Sequence, residues 1–240
     1  MFQNNPMVKR IRILTVIFDN ALKPFEVTAF RGAVIEKVGH EATVLFHHHL
    51  NDKAFLYRYP LIQYKQINNR PAIICIEQGV DEIHKFFEKR DWSVRIGDRW
   101  LDTKIYRLLL NQFNMQVWEN MFSYHIRNWI ALNQDNYRKF QQMENEKERI
   151  EFLERTLIAN IISFAKGIEW DIEKQIRLNI TSPVLIKPVT LKGKKVLGIN
   201  TDFKTNVFLP NYIGLGKSVS LGFGMVRQFH EKKEANNNLS

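Results

Sequence analysis

The chain has 240 residues, 45% of them apolar and 17 of them phenylalanine, which fills a real core and excludes a disordered chain. Against 25 Asp and Glu stand 35 Lys and Arg, a net charge of +10 that favours polyanionic partners such as nucleic acid. The single cysteine, Cys75, excludes an intramolecular disulfide and a cysteine-based zinc site.

Val8–Asp19, with Ile11, Ile13, Val16 and Phe18, reads as a strand. Phe25–Val38 reads as a helix, with Val27, Phe30, Val34 and Val38 on one face and Gly39 at its end. His40–Leu50 reads as a strand entering a polar turn at Asn51-Asp52-Lys53. Phe55–Gln66 is β-like, and Asn68-Asn69 turns it into Pro71–Glu77 as a hairpin. Cys75, in this last apolar run, reads as a buried and inert thiol. Gly79–Lys89 is predicted as a second helix. Trp92–Ile96 and Trp100–Leu109 form a last strand pair. That order fits a ferredoxin-like βαββαβ unit.

The second half repeats the theme. Met115–Leu132 reads mainly as strand. Asn133–Lys166 is helical, charged over Tyr137–Arg155 and burying Leu153, Leu157, Ile161 and Phe164. Strands over Asp171–Ile180, Val184–Val189 and Lys195–Phe208 follow. The fold class is α+β: two tandem ferredoxin-like domains, 1–111 and 112–240, with a C-terminal glycine-rich loop. A single larger α+β domain is the alternative. No window reaches the length of an apolar membrane span. Asn4, Asn5, Lys9 and Arg10 flank no secretory apolar region. A cytoplasmic protein with no membrane partner is expected.

The densest signal is Gly214-Leu-Gly-Lys-Ser-Val-Ser-Leu-Gly-Phe-Gly224, which holds 4 of the 11 glycines. Gly214/Gly216 and Gly222/Gly224 bracket Lys217, Ser218 and Ser220. Glycine allows positive φ and close approach of another molecule, and a lysine with two hydroxyls suits an anionic visitor. A P-loop is excluded, because Asn211 sits where its first glycine belongs. A dinucleotide fingerprint is excluded as well, because Val219 replaces its third glycine and no helix follows. An ordinary glycine-rich hairpin turn is the plain alternative.

The two glycine pairs, with Ser220-Leu221-Gly222-Phe223-Gly224-Met225-Val226, resemble the C-terminal glycine-rich loop of the RAMP superfamily of CRISPR-associated RNA-binding proteins. Their pattern is most similar to the repeat-processing endoribonucleases of that superfamily. The resemblance implies tandem ferredoxin-like domains, CRISPR repeat RNA as partner, and other CRISPR-associated proteins as further partners. The charged stretch Tyr137–Arg155 reads as a solvated face, with contact to such a subunit as the alternative.

His47-His48-His49 is the second chemical feature. In an extended segment His47 and His49 share one face, and histidine is the side chain most easily poised for proton transfer near neutral pH. A metal site needs further ligands, and only His40 is close, so no metal and no cofactor are expected. One or two of the three histidines also fit a polar strand end with no catalytic part. The resemblance implies a catalytic histidine after the first helix and, in some members, a lysine six residues later and a tyrosine in that helix. His47 and Lys53 have this spacing, and His49 is the next match. No tyrosine occurs in Phe25–Val38, a departure from the pattern, although Tyr57 and Tyr59 lie just downstream. The chemistry implied is metal-independent cleavage of precursor RNA to give a 2′,3′-cyclic phosphate. His47 or His49 would act as acid or base, and Lys53 would stabilise charge.

Lys187, Lys192, Lys194 and Lys195 cluster in sequence, as do Arg95, Arg99, Lys104 and Arg107. Lys204, Lys217 and Arg227 surround the glycine-rich loop. The RNA-binding set is therefore Gly214, Gly216, Lys217, Ser218, Ser220, Gly222, Gly224, Lys204 and Arg227. Scattered solvated charge explains part of the lysine excess. The rival function is a non-catalytic RNA-binding subunit that holds guide RNA in an effector complex.

Overall fold

In the computed structural model, the residues described are 8–39, 49–51, 54–55, 59–191 and 193–230, with the backbone alone at 49–51 and 54–55. The expected strand His40–Leu50 and its turn at 51–53 lie largely outside them.

The first apolar run forms strand β1 (Lys9–Phe18), followed by helix α1 (Val27–Val38). A short pair, β2 (His49–Asn51) and β3 (Ala54–Phe55), precedes the hairpin β4 (Ile62–Ile67) and β5 (Arg70–Ile76). Two short helices follow, α2 (Gln78–Glu82) and α3 (His84–Phe87), then the small hairpin β6 (Val94–Ile96) and β7 (Arg99–Leu101). The long strand β8 (Ile105–Met115) closes the half. The sheet order β4-β5-β1-β8, with every pair antiparallel, is that of a ferredoxin-like fold.

One expected strand, 100–109, is divided in two. Between β7 and β8 the chain turns onto the end of β1: the Lys104 amide donates to the Asp19 carboxylate at 3.1 Å. The buried Thr103 hydroxyl donates to the Trp92 carbonyl at 2.7 Å. These bonds tie the segment between the two strands to Asp19 and Trp92, and the strand restarts at Ile105.

The second half runs β9 (Val117–Trp129), α4 (Gln134–Gln142), α5 (Glu146–Gly167), β10 (Leu178–Ile180), β11 (Leu185–Leu191), β12 (Lys194–Val207) and β13 (Met225–Phe229). The continuous helix expected over 133–166 is broken at 143–145. Each piece starts at an asparagine N-cap: Asn133 Oδ1 accepts from the Asn136 amide, and Asn145 Oδ1 from the Lys147 amide. The strand expected over 171–180 is reduced to its last three residues, Leu178–Ile180. The sheet order β10-β12-β9-β13, with β11 on the same edge of β12 as β10, repeats the ferredoxin-like order. The chain thus contains two tandem ferredoxin-like folds. Between β12 and β13 the second half has no long helix; the glycine-rich loop and one 3-10 turn (Val219–Leu221) stand in its place.

Strands β1 and β5 are buried on both faces, which is why they read as near-continuous apolar runs. On one face Val16, Phe18, Ile73 and Cys75 pack with Phe30 and Val34 of α1 and Phe86 of α3. On the other, Ile11, Ile13, Ile74 and Ile76 belong to one buried cluster with Leu157, Ile161 and Phe164 of α5 and with Tyr124, Ile126 and Phe203 of the second sheet. Burial raises the Cys75 thiol pKa, consistent with an inert cysteine. No helix among the described residues is long and apolar enough to cross a membrane.

Candidate functional site

The glycine-rich loop is fastened to the first half by three side chains of one short segment. The Tyr59 hydroxyl donates to the Gly214 carbonyl at 2.8 Å. The Gln63 side-chain oxygen accepts from the Gly214 amide at 2.9 Å. The Lys65 ammonium donates to the Val219 carbonyl at 2.8 Å. Gln63 and Lys65 are both fully buried, and Tyr59 is nearly so. Gln63 and Lys65 share one face of β4, which the loop covers, and Tyr59 lies just before that strand. Tyr59 also packs edge-on against Phe164 of α5, their ring centroids 5.1 Å apart. A buried ammonium whose partner is a neutral carbonyl is costly, and desolvation pulls the Lys65 pKa down to about 7.

The loop is also folded onto itself and onto the end of β9. The Leu215 amide donates to the Gly224 carbonyl at 2.8 Å, and the Gly224 amide donates to Asn128 at 3.2 Å. Gly224 holds φ 62°, and a Cβ there would sit 1.8 Å from the Leu215 carbonyl oxygen, so only glycine fits. Gly216, at φ 93°, lies against the Trp129 indole, where a Cβ would be 2.7 Å from ring atoms. Trp129 in turn donates its Nε1–H to Asn160 of α5 at 2.8 Å. The close approaches expected of these glycines are therefore met inside the protein. Gly214 and Gly224 are buried, and Gly222 lies near Val27 of α1.

The loop presents its polar side chains at the tip. Lys217 is exposed, while Ser218 and Ser220 are half-buried. Gly216 and Lys217 border an open groove of about 410 Å³, whose other wall carries Asn133, Asn136, Arg155 and Asn160. Two cations and three amides facing one groove suit a phosphate with an adjacent base edge.

Lys204 and Arg227 are placed elsewhere. Alternation along β12 and β13 puts them on the face of the second sheet opposite the buried cluster of Tyr124, Ile126 and Phe203. The charged and hydroxyl members of the predicted RNA-binding set thus form two groups, one at the loop tip and one on this sheet face, while its glycines pack within the protein. Between Lys204 and Arg227 lies His125 of β9. Its Nδ1–H donates to the Asp202 carboxylate at 2.5 Å, and its ring stacks on Phe229 at 4.1 Å. Of the candidate catalytic residues, His47 and Lys53 lie outside the described residues, as does Tyr57. His49 opens β2, with its backbone opposite Phe55.

Sequence reasoning missed Gln63, Lys65, His125 and Asp202. Period-2 spacing of Arg127 with His125, Asp202 with Lys204, and Arg227 with Phe229 marks three one-sided strands. The sheet order that joins them is not written in any one segment.

Residues 9–114 match the Cas6b N-terminal domain family, and residues 116–229 match the Cas6b C-terminal domain family. An uncharacterized protein of Methanocaldococcus jannaschii is 35% identical over 118 residues, covering 48% of this chain and 78% of that protein. A crystal structure described as Cas6b superposes with a TM-score of 0.80 at 27% identity, covering 92% of this chain and all of the other. A second, described as the CRISPR RNA processing endoribonuclease Cas6b, shares the fold at a TM-score of 0.70 and 24% identity, with the same coverage of 92% and 100%. Both halves match in order along the chain, and the protein belongs to the Cas6b family of CRISPR repeat-processing proteins.

Proposed function

We propose that the protein is a cytoplasmic, metal-independent endoribonuclease that cuts CRISPR precursor RNA within its repeats to release guide RNAs. The carrying observation is family membership over both halves, and the fastening of the glycine-rich loop to β4 accompanies it. That fastening lets a loop of the second half hold RNA in a fixed relation to the first half, which carries His47, His49 and Lys53. A rigid relation between grip and chemistry is what orientation-dependent catalysis requires.

In this reading the RNA is its own nucleophile. The 2′-oxygen attacks the adjacent phosphorus as its proton passes to a base. The bond from phosphorus to the 5′-oxygen breaks, and an acid protonates that leaving oxygen. The products are a 2′,3′-cyclic phosphate and a 5′-hydroxyl end. His47 and His49 supply the proton transfers, and Lys53 offsets the charge that builds on the phosphorane. Lys217, with the hydroxyls of Ser218 and Ser220, contacts phosphate from the loop tip. Lys204 and Arg227 contact the strand further along, and other CRISPR-associated proteins are further partners.

Incubating the protein with end-labelled repeat RNA in EDTA tests the reading. It predicts one discrete cut within the repeat and a 3′ end resistant to phosphatase until the cyclic ester is opened. A shifted but intact RNA would instead identify a guide-holding subunit.

A further inference from the structure

The open face of the second sheet carries a constellation that the glycine-rich loop does not account for. From the register, Asp202 of β12, His125 of β9 and Arg227 of β13 lie side by side across three strands. Lys204 and Phe229 flank them on one side, each opposite Ser123, and Arg127 stands on the other, opposite Met225. The Asp202 carboxylate is engaged by His125. Among the described residues, neither Arg127 nor Arg227 has a carboxylate partner, and both are exposed. The face therefore presents unneutralised guanidinium groups around a polar centre.

That centre is built. His125 is held from two directions, by the carboxylate at Nδ1 and by Phe229 against its plane at 12°. Two fixed, near-parallel rings on a sheet, with arginines two residues to either side, suit a splayed base with its flanking phosphates. The opposite face of the same strands is filled by Tyr124, Ile126, Phe203 and helix α5, and among the described residues no helix packs on this one. It is also continuous with the loop. Gly224 bonds to Asn128, and Arg227 and Phe229 follow it by three and five residues on one strand, roughly 10 to 17 Å along it.

We propose that this face is a single-stranded RNA track leading to the glycine-rich loop. A base is seated on the Phe229–His125 stack, and Arg127, Arg227 and Lys204 hold phosphates. The proposal rests on the RNA-processing reading and adds to it a stacking site and a direction of approach.

The test uses the full chain and fluorescein-labelled repeat RNA, titrated at several salt concentrations. Arg127→Ala/Arg227→Ala should lower the slope of log affinity against log salt by about 1.4, at about 0.7 per single-strand phosphate contact. Phe229→Ala should weaken binding by about 5- to 150-fold, whereas Phe229→Tyr keeps the ring and the affinity. Thermal melts establish that each variant is folded. Ultraviolet crosslinking of the wild-type chain gives a readout free of mutation, with adducts expected in 117–129 or 225–229. Wild-type affinity and slope in the arginine and Phe229→Ala variants, or adducts solely elsewhere, would overturn the track and leave the processing activity standing. Failure of the wild-type chain to bind repeat RNA would overturn both.

Discussion

The two halves share one topology and use it in opposite ways. In the first, the central strands β1 and β5 are covered on both faces, by α1 and α3 on one side and by the cluster containing α5 on the other, while the edge strand β8 is largely exposed. In the second, one face is covered, and the other, among the described residues, carries no helix and presents Arg127, Arg227 and the His125–Asp202 pair. The helix that a ferredoxin-like unit carries before its last sheet strand is present in the first half as α2 and α3, between β5 and β6, and is replaced in the second by the glycine-rich loop. The difference teaches that a repeated fold can be divided between support and contact. One copy buries its central strands and supplies the clamp of Tyr59, Gln63 and Lys65, and the other presents a charged sheet face and its loop tip.

The comparison breaks most severely at Gly224. Replacing it by alanine forces a positive φ on a side chain and a Cβ into the Leu215 carbonyl. We expect a loss of at least about 2 kcal/mol, roughly 4 to 8 °C in melting temperature, measured by calorimetry. Next is Gln63→Leu, which leaves the buried Gly214 amide without its acceptor. Its expected cost is about 1 to 3 kcal/mol in urea unfolding. An unchanged midpoint would show that the loop is held without β4.

Lys65 sharpens the same point through pH. The folded chain binds this proton less tightly than the unfolded chain, since burial lowers its pKa to about 7 from the ordinary 10.5. Stability should therefore rise with pH from about 7 to about 10.5, and the full cost of the buried charge should persist below 7. Lys65→Met should flatten that rise, and its stability relative to wild type should be greatest below pH 7. A wild-type stability curve without this rise would remove the charged lysine from the clamp. The smallest effect belongs to the exposed loop tip. Lys217→Ala should leave the melting temperature unchanged and reduce the salt slope of repeat-RNA binding by about 0.7.

Much of the fold was legible because hydrophobic period and element order are local. β1, α1, the β4–β5 hairpin and the strand pair β11–β12 lie close to the segments expected from sequence. The break between α4 and α5 was less legible, although Asn133 and Asn145 are cap residues in the sequence. A long helical pattern hides a cap that only the structure shows to be used. The loop was legible as a motif, but its glycines serve contacts with Leu215 and Trp129 that depend on how the chain closes. Gln63 and Lys65 do not stand out in their β-like segment, since nothing nearby announces a cover that arrives some 150 residues later. His125 and Asp202 are 77 residues apart and meet only through the register of β9 with β12.

The central claim is that the first half supplies the chemistry and the second half the grip. It is tested most directly by measuring binding and single-turnover cutting of repeat RNA side by side in His47→Ala/His49→Ala. The account predicts unchanged affinity with cutting slowed by about 100- to 10,000-fold, the range of lost acid–base catalysis. Cutting at the wild-type rate by this variant would contradict it.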